Sequence, residues 1–120
     1  MTGKFRFVFC LLAGLLVNVA QAEPVRPLPG DGELNLGPHV AILEDPDGTL
    51  TVQQVSGSFA DRFVPAKTQN PSFGFTRSTY WLRFTLDMSA VVGQRWYLVQ
   101  RHPIIDHLTL YAPLDNGLFA

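Results

Sequence analysis

Cysteine is almost missing from this chain: Cys10 is the only one in 120 residues. A single thiol excludes an internal disulfide, so any fold must rest on apolar burial and hydrogen bonding. Basic excess is missing too. Nine Lys and Arg stand against ten Asp and Glu, without a run of either sign. That speaks against a nucleic-acid surface and against a charged disordered tail. After the first 22 residues no long apolar run follows, whereas a membrane-spanning helix needs about 20 predominantly apolar residues. No internal repeat and no long amphipathic pattern are visible.

Catalytic and cofactor signatures are equally scarce. No serine sits in a nucleophile elbow, and the one cysteine lies in an apolar run. Gly30-Asp-Gly32 precedes no helical pattern, so it is not a phosphate-binding loop. Glu44, Asp45 and Asp47 lack the later ligands of a calcium loop, since Gln53 and Gln54 stand where those would be needed. They read as turn chemistry. His102, Asp106 and His107 have no metal-ligand spacing, and Asp106 and His107, adjacent on one strand, face opposite ways. The residues therefore predict no enzyme, no metal and no cofactor.

What is present begins with the N-terminus. Lys4 and Arg6 form a short positive region, Phe7 to Val19 is almost wholly apolar, and Ala20-Gln21-Ala22 places small residues where a signal peptidase reads. That order marks a cleavable secretory signal, with the cut between Ala22 and Glu23. Removal of residues 1–22 leaves 98 residues with seven basic and ten acidic side chains, a net charge of −3. Such a length holds one small domain. Residues 23–38 carry four prolines and three glycines and read as an extended leader. A folded domain is expected over residues 39–120.

Short apolar runs divided by turn signals fill that domain. His39–Glu44 reads as a strand, and Asp45-Pro-Asp-Gly48 as a reverse turn into a second strand, Thr49–Val55. Val40 and Ile42 are expected to pair inward with Leu50 and Val52. Phe59 and Phe63 frame a short irregular or single-turn helical piece, and Val64–Ser72 reads as a polar loop. Tyr80–Leu86 is the strongest strand, followed by Arg95–Gln100 and His107–Tyr111. Asp115-Asn-Gly117 signals another hairpin turn. Five short strands without a long helix predict an all-β sandwich or barrel.

Four segments in order then carry a family likeness: Leu43-Glu-Asp-Pro-Asp-Gly-Thr-Leu50, Phe73-Gly-Phe-Thr-Arg-Ser-Thr-Tyr-Trp-Leu-Arg-Phe84, Trp96-Tyr-Leu-Val99 and Ile105-Asp-His-Leu-Thr-Leu-Tyr111. The chain resembles the extracellular sensor domain, second type, of bacterial receptors with seven transmembrane helices and diverse intracellular signalling modules (7TMR-DISM). The likeness implies a jelly-roll-like β-sandwich, similar to carbohydrate-binding modules, in the periplasm. It also implies that closing strands, seven helices and a cyclase or kinase output module follow in an intact receptor, so this chain reads as an N-terminal fragment. Any membrane attachment and any enzymatic activity would lie in those parts.

The expected partner is a small molecule, sugar-like or carboxylated. Trp81 and Arg83 alternate with Leu82 and Phe84, so they share a face on which an indole could stack on a ring and a guanidinium could grip a carboxylate. Trp96 is the third candidate, since it and Tyr97 point to opposite faces. The other reading of Trp81 and Trp96 is plain core packing, as for most aromatics in strands. A free periplasmic or secreted carbohydrate-binding protein is the alternative function.

Overall fold

The computed structural model describes the backbone of residues 4–9, and residues 22–66, 73, 76–101, 107–116 and 119. The leader's apolar run from residue 10 onward with Cys10, most of the expected 64–72 loop, His102, Asp106 and Gly117 lie outside the described residues. Among those described, strands dominate and helix is confined to one five-residue segment and three short 3-10 turns. The fold is all-β, as the turn spacing predicts. One five-stranded sheet carries it, and a second sheet facing it, as in a jelly roll, is not among the described residues.

Strand β2 (Ala41–Asp45) and the later β4 (Thr79–Phe84) form the antiparallel centre, with Leu43 opposite Trp81 and Ala41 opposite Arg83. The expected turn follows β2. Gly48 N donates to the Asp45 carbonyl at 3.2 Å, and Gly48 takes φ +67°, a left-handed conformation that glycine adopts without a Cβ penalty.

Beyond that turn the structure corrects the expected hairpin. Residues 49–55 do not form a strand; Val52–Ser56 is a short helix, α1. A capping box explains the difference. Thr51 Oγ1 accepts from Gln54 N at 3.3 Å, while Gln54 Oε1 accepts from Thr51 N at 2.9 Å. This reciprocal pair satisfies two orphan donors at a helix start. Val52 and Val55, three apart, then share one face and are buried. Val55, with no exposed surface, contributes about 1.5–3 kcal/mol of apolar burial.

The expected single turn between Phe59 and Phe63 is present at Ala60–Arg62. It delivers Phe63 to the core and the two-residue β3 (Val64–Pro65) to the free side of β2. Ala41, Leu43, Val52, Val55, Phe63 and Trp81 make the main core on one face of the sheet. Tyr80 and Leu82 form a smaller cluster on the other, with Ile42 and Phe73 against them. Inward pairing of Val40/Ile42 with Leu50/Val52 is therefore replaced: Ala41 and Leu43 point to α1, and Ile42 faces away. In the 23–38 segment Val25 is pinned to the sheet: it is buried and exchanges hydrogen bonds with Thr85 and Asp87 at 2.9 and 2.8 Å, while Gly37–His39 is a 3-10 turn.

The other half of the sheet departs from expectation. Lys4–Phe9, within the expected signal, is strand β1. It lies between β4 and β5 (His107–Tyr111), parallel to both. The sheet order is β3-β2-β4-β1-β5. Arg95–Gln100, expected as a strand, is not one. Its composition suits a strand, but β1 holds the place between β4 and β5.

Candidate functional site

Strand β4 carries the residues that the sequence singles out, and its two faces differ. On the core face, Trp81 has no exposed surface. Its Nε1 donates to Asp45 Oδ2 at 3.4 Å, and the ring lies 5.8 Å from that of Tyr111, inclined at 27°. The same Asp45 carboxylate accepts from Thr49 N at 3.3 Å and Leu50 N at 3.0 Å. One buried carboxylate thus ties the turn after β2 to the central indole. The structure places Trp81 inside the core rather than on a stacking platform.

Arg83, two residues along, is half-buried. Its guanidinium lies over the Phe63 ring, 4.2 Å from the centroid, and Nη1 donates to the Ala60 carbonyl at 2.9 Å. Both partners come from the turn after α1, so Arg83 clamps that turn to the sheet. Part of its surface stays open to solvent.

Trp96 is not brought to this pair. It sits half-buried in the unpaired 95–100 segment, with its Nε1 buried and without an acceptor among the described residues. Tyr97 beside it is 74% exposed. At the expected cleavage point, Ala22 packs against the main core, whereas Glu23 is exposed and offers its carbonyl to His39 Nδ1 at 3.3 Å.

The opposite face of β4 holds a polar and aromatic group that the sequence reading did not select. Ser78 Oγ donates to Glu44 Oε1 at 2.8 Å, and Tyr80 OH reaches the same oxygen at 3.4 Å. Phe73 stacks on Tyr80 with centroids 4.0 Å apart and planes at 17°. Glu44 lies directly opposite Tyr80 in the β2–β4 register, 36 positions away in the chain. No local pattern announces such a pair; only strand pairing does. The result is an exposed carboxylate beside two hydroxyls and a stacked ring, a surface suited to polar hydrogen bonding.

One carboxyl has a displaced acidity. Asp87, just past β4, is held below the ordinary carboxylate value, mainly by the Ser89 side chain, then by the Ser89 backbone N–H, with Arg26 adding a smaller attraction. The Ser89 N–H lies 3.1 Å from Oδ1, and Arg26 Nε lies 3.4 Å from Oδ2. Among the described residues no three His, Cys, Asp or Glu side chains gather closely enough to hold a metal, and no helix is long and apolar enough to cross a membrane.

Comparison with known proteins gives one match. A family model described as 7TMR-DISM extracellular 2 covers residues 37–120. No curated protein and no solved structure matches the chain.

Proposed function

The chain belongs to the 7TMR-DISM extracellular 2 family, and from that premise we propose that it is the periplasmic ligand-sensing part of a bacterial transmembrane receptor. The family match over residues 37–120 is the observation that carries this reading. The N-terminal order of charge, apolar run and small-residue site supports export. The ligand is a small sugar-like or carboxylated molecule. Arg83, which keeps some exposed surface, is the residue that meets it, with Trp81 beneath the same face setting β4 against β2. Signalling then requires that the ligand bind one arrangement of the sheet more tightly than another, because equal affinity for both shifts nothing.

Thermal-shift measurements on the purified chain test this, with a panel of mono- and disaccharides and small dicarboxylates. A bound solute at a hundred times its Kd adds about 2.7 kcal/mol. In a domain of this size each kcal/mol raises Tm by roughly 4–8 °C. A rise with one class of solute, diminished in Arg83→Met, is the expected result. A cooperative melt that no sugar or carboxylate moves contradicts it. The receptor is separated from a free carbohydrate-binding protein by the DNA that follows the coding segment. Seven apolar helices in frame, or restored by a single-base shift, support the receptor, and an unrelated gene supports the free protein.

A further inference from the structure

Strand β1 occupies a place whose geometry suits a different segment of the chain. Strands β4 and β5 are both parallel to β1, hence to each other, with a single strand's width between them. The chain segment joining β4 to β5 is residues 85–106, and the expected strand Arg95–Gln100 lies inside it. A strand reached directly from β4 and leading directly into β5 must run antiparallel to both. That is a simple meander, and its connections would be residues 85–94 and 101–106. Parallel neighbours, in contrast, need crossovers of about a dozen residues or more, usually helical.

Three observations set residues 95–100 apart from the sheet among the described residues. No backbone hydrogen bond joins them to anything among the described residues. Tyr97, Leu98 and Val99 are exposed in sequence at 74, 46 and 66%. The Trp96 indole N–H is buried without an acceptor among the described residues. Meanwhile β5 has β1 as its one sheet neighbour among the described residues, and Leu108 and Leu110 on it are about half exposed. If the leader departs, β4 loses a ladder, β5 loses its attachment, and a six-residue gap opens. Arg95–Gln100 is six residues long, with the β-forming types Trp96, Tyr97 and Val99 in its middle.

We propose that β1 is a placeholder, and that Arg95–Gln100 takes the slot between β4 and β5, antiparallel to both, once Lys4–Phe9 leaves it. The two segments compete for one set of backbone partners, so the sheet of the leader-bearing chain and the sheet of the trimmed chain differ in one central strand. The proposal rests on the export reading only for what removes the leader; the exchange itself is a property of the sheet.

The test uses the full chain, made by cell-free synthesis without a signal peptidase so that the leader is retained. Phe7→Pro removes a backbone donor in the middle of β1, which a strand between two neighbours does not tolerate. Hydrogen exchange of the Tyr97, Leu98 and Val99 amides is then followed in both chains. In the unaltered chain they exchange freely; in Phe7→Pro they become protected by at least about a hundredfold, as for amides in a stable ladder. A folded Phe7→Pro chain with those amides still unprotected overturns the proposal. So does a Phe7→Pro chain without a cooperative melt, because the slot then has no second occupant.

Leu98→Pro supplies the independent arm. It leaves the melting of the unaltered chain nearly unchanged, yet abolishes the melt when combined with Phe7→Pro. Equal effects in both backgrounds contradict the exchange. Failure of export leaves these outcomes untouched, so the two readings fail separately.

Discussion

Trp81 Nε1 donates to Asp45 Oδ2 at 3.4 Å, across a register in which the two residues are 36 positions apart in the chain. Both groups are buried, the indole completely and Asp45 to 2% exposure. The carboxylate also takes the amides of Thr49 and Leu50. A single side chain therefore joins the end of β2, the turn that follows it and the middle of β4.

Removal of that acceptor takes a partner from the buried Trp81 indole and from the part-buried amides of Thr49 and Leu50. Asp45→Ala is expected to destabilise the chain by about 1–3 kcal/mol, the cost of leaving a buried donor without its acceptor. Asp45→Asn keeps one acceptor oxygen and loses less. Urea unfolding followed by tryptophan fluorescence in a Trp96→Phe background reads both. Equal stability of Asp45→Ala and the unaltered chain would remove Asp45 from its place in this account.

The turn and the capped helix after β2 make a second expectation. Gly48→Ala forces an L side chain into φ +67° and puts its Cβ 3.1 Å from Thr79 Oγ1. The cost is about 1–2 kcal/mol for the left-handed conformation. Thr51→Ala loses the cap and costs about 1 kcal/mol, whereas Thr51→Ser keeps most of it. Thermal melts of the three variants are sufficient, and a Gly48→Ala chain as stable as the parent contradicts the turn geometry.

Arg83 separates clamp from ligand contact. Loss of its hydrogen bond to Ala60 and its packing on Phe63 in Arg83→Met lowers stability by about 1–2 kcal/mol, allowing for part exposure of the side chain. Arg83→Lys recovers charge but not the planar stack. If Arg83 also meets the ligand, Arg83→Lys weakens binding more than it weakens the fold. Paired melts with and without the solute that shifts the parent chain report the difference.

The acidity of Asp87 has a definite sign. Its folded value is depressed, so its contribution to stability is present above the ordinary carboxylate value and is lost as pH falls through the lower folded value. Ser89→Ala removes the largest cause and moves the Asp87 titration upward toward the ordinary value, with the backbone N–H still holding it somewhat below. Added salt moves it little, because Arg26 is the smallest of the lowering causes. Carboxyl-carbon NMR titration of the two chains checks this; a Ser89→Ala titration identical to the parent's contradicts it.

Local chemistry was readable in the sequence, and long-range choices were not. Asp45-Pro-Asp-Gly48 announces its turn because proline and glycine each impose a backbone angle. Tyr80–Leu86 announces a strand by composition and alternation, and the structure forms it from Thr79 to Phe84. Thr49–Val55 has the β-branched residues of a strand, yet Thr51-Val-Gln-Gln54 carries capping-box spacing, and in the structure that local pair starts a helix. Arg95–Gln100 has a strand's composition, but composition cannot say which segment wins a shared slot. The Asp45–Trp81 bond and the Glu44–Ser78–Tyr80 group depend on the β2–β4 register, which no short pattern encodes. The alternation did place Trp81 and Arg83 on one face. It could not show that α1 and Phe63 would cover that face and take the indole out of solvent.

The central claim is that this sheet does its work outside the cytoplasm, as the sensing part of a receptor. The most direct measurement is alkaline phosphatase activity in cells making the enzyme fused after Ala120, because phosphatase is active only where its disulfides form. The account predicts high activity with residues 1–22 in place, and near-background activity when Lys4 and Arg6 are both changed to Glu or when residues 2–22 are deleted. Background activity from the intact leader, with the fusion present at full length in the cytoplasm, would contradict it.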